Sequence, residues 1–124
     1  MKRDSLTDLQ LAVMKALWEL REGTVGEILG VMNRGHRDVA PTTVATLLQR
    51  LCKQGWVKHR REGRQFIYRA KVAEKEVAQG MLRRVMLSFF GGKASALTAQ
   101  LLESEPMTPD ELEEIRALLE KKGA

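Results

Sequence analysis

Polar and cationic side chains recur through the segment from Pro41 to Lys53 with the spacing of one helical face. Threonine can contact base edges in a DNA major groove, glutamine can pair with adenine, and arginine can pair with guanine or a phosphate. Threonine forms helices poorly, so three threonines on one exposed face favour DNA contact over a merely solvated surface. The predicted contact residues are Thr42, Thr43, Thr46, Gln49, Arg50 and Lys53.

A second basic group follows directly, in a predicted β-hairpin. Strands are predicted over residues 56–61 and 64–70, joined at Glu62-Gly63, where glycine can adopt a positive φ. The cations that flank it are Lys58, Arg60, Arg61, Arg64 and Arg69. Phosphate binding by such groups releases counterions, although a charged edge strand can also serve to prevent aggregation. Because the charge has one sign, we predict DNA contact by Arg60, Arg61 and Arg64.

The elements that must position these residues are predicted from apolar spacing. A first helix carries apolar residues at intervals of three and four, at Leu6, Leu9, Val13, Leu17 and Leu20. A capping box of Thr7 and Gln10 would begin it, and Gly23 would end it. Thr24 and Val25, as β-formers, predict a short strand.

Two further helices complete the basic half. One is predicted from about Val25 to before Gly35, and the other begins at Pro41, whose missing N–H suits a first turn. Gly55 would end that third helix. The aromatic residues of this half fit core packing better than stacking platforms for single strands; they are Trp18, Trp56, Phe66 and Tyr68.

The region after Val72 predicts three more helices without a closed core of their own. They cover residues 74–90 and 93–103 and a last segment opened by the Thr108–Glu111 capping box. Unpartnered apolar stripes favour pairing with a second copy of the chain over folding back on the N-terminal domain. The predicted dimer-interface residues are Val77, Met81, Val85, Phe89, Leu97, Leu101, Leu112, Ile115 and Leu119.

The charge distribution agrees with this division. Residues 1–72 carry 14 Lys and Arg against 7 Asp and Glu, whereas residues 73–124 carry the remaining 7 against 9. The basic half therefore predicts a polyanion partner. We predict a mainly α fold with a small β-hairpin wing: a winged helix-turn-helix DNA-binding domain over residues 1–72 and an α-helical dimerisation domain over residues 73–124.

Other classes of site find no support in the sequence. His36 and His59 have no cysteine or carboxylate at ligand spacing, so we predict no metal site and no cofactor. Cys52, the one cysteine, fits a packed thiol better than a redox sensor. No catalytic signature is present, so no enzyme is predicted. Without a signal peptide or a long apolar run, we expect a cytoplasmic chain with no membrane insertion.

Three stretches carry a resemblance to a known family. They are LTDLQLAVMKALW near the start, APTTVATLLQRLCKQGWVKHRREGRQFIY in the middle, and Gly91-Gly92 with TPDELEEIRALL towards the end. The chain resembles the penicillinase-repressor family, the BlaI/MecI/CopY group, over nearly its whole length. The resemblance implies a dimeric winged-helix repressor that binds a palindromic operator, with C-terminal helices that interlock to form the dimer.

The chain departs from that family at three places. The family often has serine as the N-cap before the helix-opening proline, and Ala40 here would cost roughly 1 kcal/mol unless Asp38 or water substitutes. The copper-responsive branch ends in a cysteine cluster that is not found here, so copper sensing by thiolates is not expected. The β-lactam branch is cleaved by a membrane metalloprotease sensor at an Asn-Phe bond. The matching position is Gln100-Leu101.

These observations predict a homodimeric transcriptional repressor that binds a palindromic double-stranded DNA operator through the third helix and the basic wing. Repression would be relieved by proteolysis in the dimer domain, with a sensor protease as partner, or by another signal. The alternative is a winged-helix module that binds protein without sequence-specific DNA binding.

Overall fold

A computed structural model describes residues 5–35 and 37–123, which form helices and a small sheet. The elements in chain order are α1 (Asp8–Leu20), β1 (Glu22–Gly23), α2 (Val25–Met32), a 3-10 turn (Asn33–Gly35), α3 (Pro41–Lys53), β2 (Val57–Glu62), β3 (Gln65–Ala70), α4 (Glu74–Phe89), α5 (Ala94–Ser104) and α6 (Pro109–Gly123). The mainly helical fold with a β-hairpin wing is confirmed. His36 lies outside the described residues, as do Met1–Asp4 and Ala124.

Capping boxes begin the first two helices. In α1, Gln10 N–H donates to Thr7 Oγ1 at 3.2 Å, and Thr7 N–H donates to Gln10 Oε1 at 3.0 Å. The predicted start of α1 is therefore confirmed. Thr24 forms the same box with Glu27 at the start of α2. Because the Thr24 hydroxyl is engaged as a cap, the strand predicted at Thr24-Val25 was wrong.

The first strand lies just before that cap, at Glu22–Gly23. Helix α1 ends at Leu20 and is followed by Arg21 as its C-cap, with a φ of 72°, so the predicted stop at Gly23 was wrong. Gly23 lies in strand β1, where its backbone comes close to the Leu20 side chain. A Cβ at this position would lie 3.2 Å from Leu20 Cδ1. The missing side chain allows β1 to pass the end of α1 and join the sheet.

The sheet has the strand order β1-β3-β2, with both pairs antiparallel. Glu22 pairs with Arg69 at one edge, and β2 pairs with β3 from Val57–Ala70 to Glu62–Gln65. Gly63, with a φ of 63°, lies in the turn of the hairpin as its sequence predicted. The turn consists of Gly63 and Arg64 rather than Glu62 and Gly63, because Glu62 still pairs with Gln65 in the sheet. Central strand β3 is thus held on both sides.

The core of the first unit lies among α1, α2, α3 and the sheet. Its most deeply buried large side chains are Met14, Leu17, Ile28, Leu48, Leu51, Val13, Val44 and Val57. Trp56 and Tyr68 are buried here, and Trp18 Nε1–H donates to Val72 O at 2.9 Å. Phe66 is 44% exposed and lies outside this cluster. Its predicted core position was wrong because Phe66 shares the face of Tyr68 but lies nearer the tip of the hairpin, beyond the core cluster.

The chain divides into two compact units, one through Gln79 and one from Gly80 onward. Val77, predicted for the dimer interface, is 8% exposed and belongs to the core cluster of the first unit. Packing within one copy therefore accounts for the burial of Val77, and Val77 is not part of the interface that we propose between copies. The domain limits at residues 72 and 73 remain a prediction.

The second unit consists of the rest of α4 with α5 and α6. Gly91 and Gly92, with φ values of 60° and 79°, end α4, and Gly92 N–H donates to Met86 O at 3.0 Å. The Glu111 N–H donates to Thr108 Oγ1 at 3.1 Å and so caps α6. Among the described residues from Gly80 to Gly123, none is buried.

Within residues 5–35 and 37–123, no single helix is long and apolar enough to cross a membrane. Only α4 and α5 taken together reach that length and composition, and they are bent by 93° at the break between them.

Candidate nucleic-acid interface

Helix α3 has one face in the core and one face in solvent. Val44, Leu48 and Leu51 are fully buried, which fixes the rotation of the helix about its axis. All six predicted contact residues on α3 are exposed as a result: Thr42, Thr43, Thr46, Gln49, Arg50 and Lys53. The spacing of the stripe therefore placed these side chains correctly at the surface.

A shallow open cleft runs along the N-terminal part of this exposed face. It is lined by Thr42, Thr43, Thr46, Leu47 and Arg50. Thr46 Oγ1–H donates to Thr42 O at 2.9 Å, so its proton is committed within the helix. Thr46 can therefore offer a ligand only an acceptor lone pair and a methyl group. Such a side chain suits a base amino group or a thymine methyl group.

The N-terminus of α3 is held without a side-chain cap. Ala40 occupies the N-cap with an extended backbone, and Pro41 opens the helix. The preceding loop is fixed instead by Asn33, which exchanges two hydrogen bonds with the Val39 backbone at 3.1 and 3.2 Å. Neither bond satisfies the first amides of the helix. A helix terminus of this kind favours a phosphate in front of it.

The hairpin of β2 and β3 has two chemically different faces. Cys52 of α3 lies with its Sγ 3.5 Å from His59 Nδ1, so the face that carries His59 is turned towards α3. Alternation along the strands adds Arg61 and Phe66 to that face. We call this the inner face of the wing. The outer face, on the other side of the hairpin, carries Arg60.

The inner face combines aromatic and cationic groups. The rings of His59 and Phe66 meet edge to face with centroids 4.8 Å apart, and Arg61 Cζ lies 5.9 Å from the Phe66 centroid. Arg61 Nε–H also donates to Gly63 O at 3.2 Å. Phe66 was not among the predicted contact residues. Its place beside Arg61 follows from strand pairing, which the sequence pattern alone did not resolve.

The outer face brings Arg60 together with two carboxylates. Arg60 donates to both oxygens of Glu22, at 3.1 Å from Nη1 and 2.7 Å from Nη2, and to Glu62 Oε2 at 3.1 Å. The guanidinium holds the pKa of Glu22 below its usual value, and the pKa of Arg60 is raised in turn. The three predicted wing contacts, Arg60, Arg61 and Arg64, are all exposed, but only Arg60 among them takes part in this ion-pair network.

No group of three or more potential metal ligands is found in residues 5–35 and 37–123. Cys52 and His59 lie together, but no third histidine, cysteine or carboxylate in the described part of the chain completes a site around them. That the protein binds no metal therefore stays a prediction.

A family model described as penicillinase repressor matches residues 6–121 of the chain. The chain belongs to the penicillinase repressor family. The penicillinase repressor of Bacillus licheniformis is 26% identical over 120 residues, which cover 97% of this chain and 93% of that one. The methicillin resistance regulatory protein MecI of Mammaliicoccus sciuri is 26% identical over 121 residues, or 98% of each chain.

A solved structure supports the same fold for this family member. The monomeric form of Bacillus licheniformis BlaI in complex with the blaP half-operator is 31% identical, has a TM-score of 0.50, and aligns with 60% of this chain and 90% of its own. The family comprises DNA-binding transcriptional repressors rather than a class of enzymes. This member is therefore a winged-helix transcriptional repressor, as its sequence predicted.

In this member of the penicillinase repressor family, Cys52 is a half-buried thiol at the junction of α3 and β2. Burial raises its pKa above the ordinary thiol value. Because the thiolate is the reactive form, we expect Cys52 in the native protein at neutral pH to react with a disulfide reagent at least about tenfold more slowly than in urea. Stopped-flow absorbance measures both rates. Equal rates in the two states would contradict a packed thiol and favour a redox-sensing role.

Proposed function

We propose that the protein is a homodimeric repressor that binds a palindromic operator, with α3 in the major groove and the inner face of the wing against the DNA backbone. The observation that carries the proposal is the exposure of all six polar and cationic side chains on α3 while its apolar side is anchored in the core. In the BlaI complex, the monomeric form is bound to a half-operator. Two copies of this chain would therefore bind two half-sites.

The second unit supplies the argument for two copies. Its large apolar side chains lie open to solvent, with Phe89 79% exposed and Leu119 63% exposed. Solvent contact of this extent is unfavourable at about 25 cal/mol per Å² of apolar surface. The occupant we propose is a second copy of the chain, contacting Met81, Val85, Phe89, Leu97, Leu101, Leu112, Ile115 and Leu119.

We further propose that repression is relieved when this dimer unit is damaged, by a sensor protease or by another signal. Both Gln100 and Leu101 are exposed, but they lie within α5, and Ser104 Oγ–H donates to Gln100 O at 2.7 Å. A protease would need α5 to open locally before it could cut there. Cleavage between Gln100 and Leu101 would separate the DNA-binding unit from the end of α5 and from all of α6.

Selection of bound duplexes from a random pool tests the operator directly. We expect the full-length protein to enrich an inverted repeat whose half-sites are about one helical turn apart or a multiple of it. As a control, the same pool taken through the procedure without protein sets the background. Enrichment of a single unrepeated site would contradict the palindrome, and the absence of any enriched sequence would contradict specific binding.

A further inference from the structure

The ion-pair network of Arg60, Glu22 and Glu62 spans the width of the sheet. Glu22 belongs to edge strand β1 and Arg60 to edge strand β2, and β3 runs between them. The forked contact of Arg60 with both Glu22 oxygens therefore bridges two strands that share no backbone hydrogen bonds. A planar guanidinium fits a carboxylate in this way with a defined direction as well as charge.

Arg60 also lies on the face of the wing that is opposite to the proposed DNA contact. His59 and Arg61, its chain neighbours, lie on the inner face next to α3, and alternation puts Arg60 on the outer face. Two carboxylates already neutralise its charge. A phosphate that approached Arg60 would also approach Glu22 and Glu62, whose negative charges offset the attraction of the guanidinium. Lys58 and Arg69 lie on the same face of the sheet, and Arg69 acts on Glu22 as well.

The first strand gives this bridge its importance. Strand β1 has only two residues, of which Gly23 has no side chain. It joins α1 to α2 and pairs with β3. The base of the hairpin is anchored in the core by Val57 and Tyr68. Beyond that base, the hairpin is joined to the segment between the first two helices by the short β1 pairing and by the Glu22 carboxylate. Arg60 thus holds the far strand of the wing to the segment between the first two helices.

We propose that Arg60 is a positioning residue, and that the acidic Glu22 is required for DNA affinity because together they hold the wing at its angle to α3. The inference rests on the proposed DNA binding. It assigns the neutralisation of phosphates in the wing to Arg61 and Arg64, and removes Arg60 from the predicted contacts.

The test compares Arg60→Gln, Arg60→Lys, Glu22→Gln and the double variant with wild type, using fluorescence anisotropy. The probe is a mixed-sequence duplex of about 30 base pairs, titrated over a range of salt concentrations. Arg64→Gln is the matched control, since it removes the same group from the exposed turn. Thermal unfolding of each variant confirms that it is folded.

If Arg60 positions the wing, Arg60→Gln and Glu22→Gln each weaken binding about threefold to fivefold, the size expected of an exposed ion pair. The double variant is then no weaker than either single variant, because both remove the same bridge. Arg60→Lys behaves like Arg60→Gln, since lysine cannot reproduce the fork. The salt slope stays at the wild-type value in these variants, whereas Arg64→Gln lowers it by about one unit.

A different result would overturn the inference and leave the proposed function standing. If Arg60 contacts a phosphate, Arg60→Gln lowers the salt slope, Arg60→Lys retains most of the affinity, and Glu22→Gln strengthens binding by removing a negative charge. If wild type itself binds no duplex at any salt concentration, the proposed function fails, and the role of Arg60 fails with it.

Discussion

A Leu119→Asp variant is expected to bind the palindrome recovered by selection at least about a hundredfold more weakly than wild type, because it loses the gain from two linked half-sites. Leu119 is 63% exposed and shares one side of α6 with Leu112 and Ile115. A carboxylate buried at an interface between copies would be desolvated without a partner, and the dimer would dissociate. The folded first unit would remain.

The matched control for this variant is Ala117→Asp, which adds the same charge to an exposed residue on another side of α6. Sedimentation velocity reports the oligomeric state of both variants, and anisotropy reports their affinity for the full palindrome and for a half-site. We expect Ala117→Asp to remain dimeric and to keep its affinity within about twofold. A Leu119→Asp protein that stays dimeric, or that is monomeric with full affinity, would contradict the proposed assembly.

An Arg50→Ala variant is expected to lose about tenfold or more in affinity for the recovered palindrome, which corresponds to the roughly 1–3 kcal/mol of a bidentate contact with guanine. Arg50 lines the cleft on α3 together with Leu47 and the three threonines. If its guanidinium contacts a base edge, affinity for a scrambled duplex should fall much less than affinity for the palindrome.

Two further variants make the Arg50 result specific. Arg61→Ala removes a cation from the inner face of the wing and should weaken both duplexes alike, lowering the salt slope by about one unit. Arg116→Ala removes an exposed arginine from α6, where it lies 3.9 Å from Glu113, and should leave both affinities unchanged. Equal losses on the two duplexes in Arg50→Ala would assign this residue to a phosphate rather than to a base.

The features that the sequence predicted well depend on local patterns. The apolar stripe of α3 decided which side of the helix faces solvent, so its six polar residues were assigned correctly to the surface. The caps Thr7 and Thr108 marked the starts of α1 and α6 because their hydrogen bonds join residues three positions apart. Gly63 marked the hairpin turn for the same reason, since its positive φ is a local demand.

The features that could not be predicted from the sequence depend on contacts between distant parts of the chain. Strand β1 has two residues and exists only because β3 pairs with it. Arg60 bonds both oxygens of Glu22, and no spacing rule connects residues so far apart in sequence. Val77 has the same apolar character as the residues that follow it on α4, but only the packed structure shows that it belongs to the first core.

The open leucines of α5 and α6 bear on how the repressor responds to its own abundance. Since nothing in the described part of the second unit is buried within a single copy, assembly and operator occupancy would be governed by the same equilibrium. At concentrations below the dimer dissociation constant, the dimer population rises with the square of the monomer concentration. Halving the protein would then reduce the occupancy of a weakly filled operator to about a quarter. Such a gene switch would respond steeply to modest dilution or degradation.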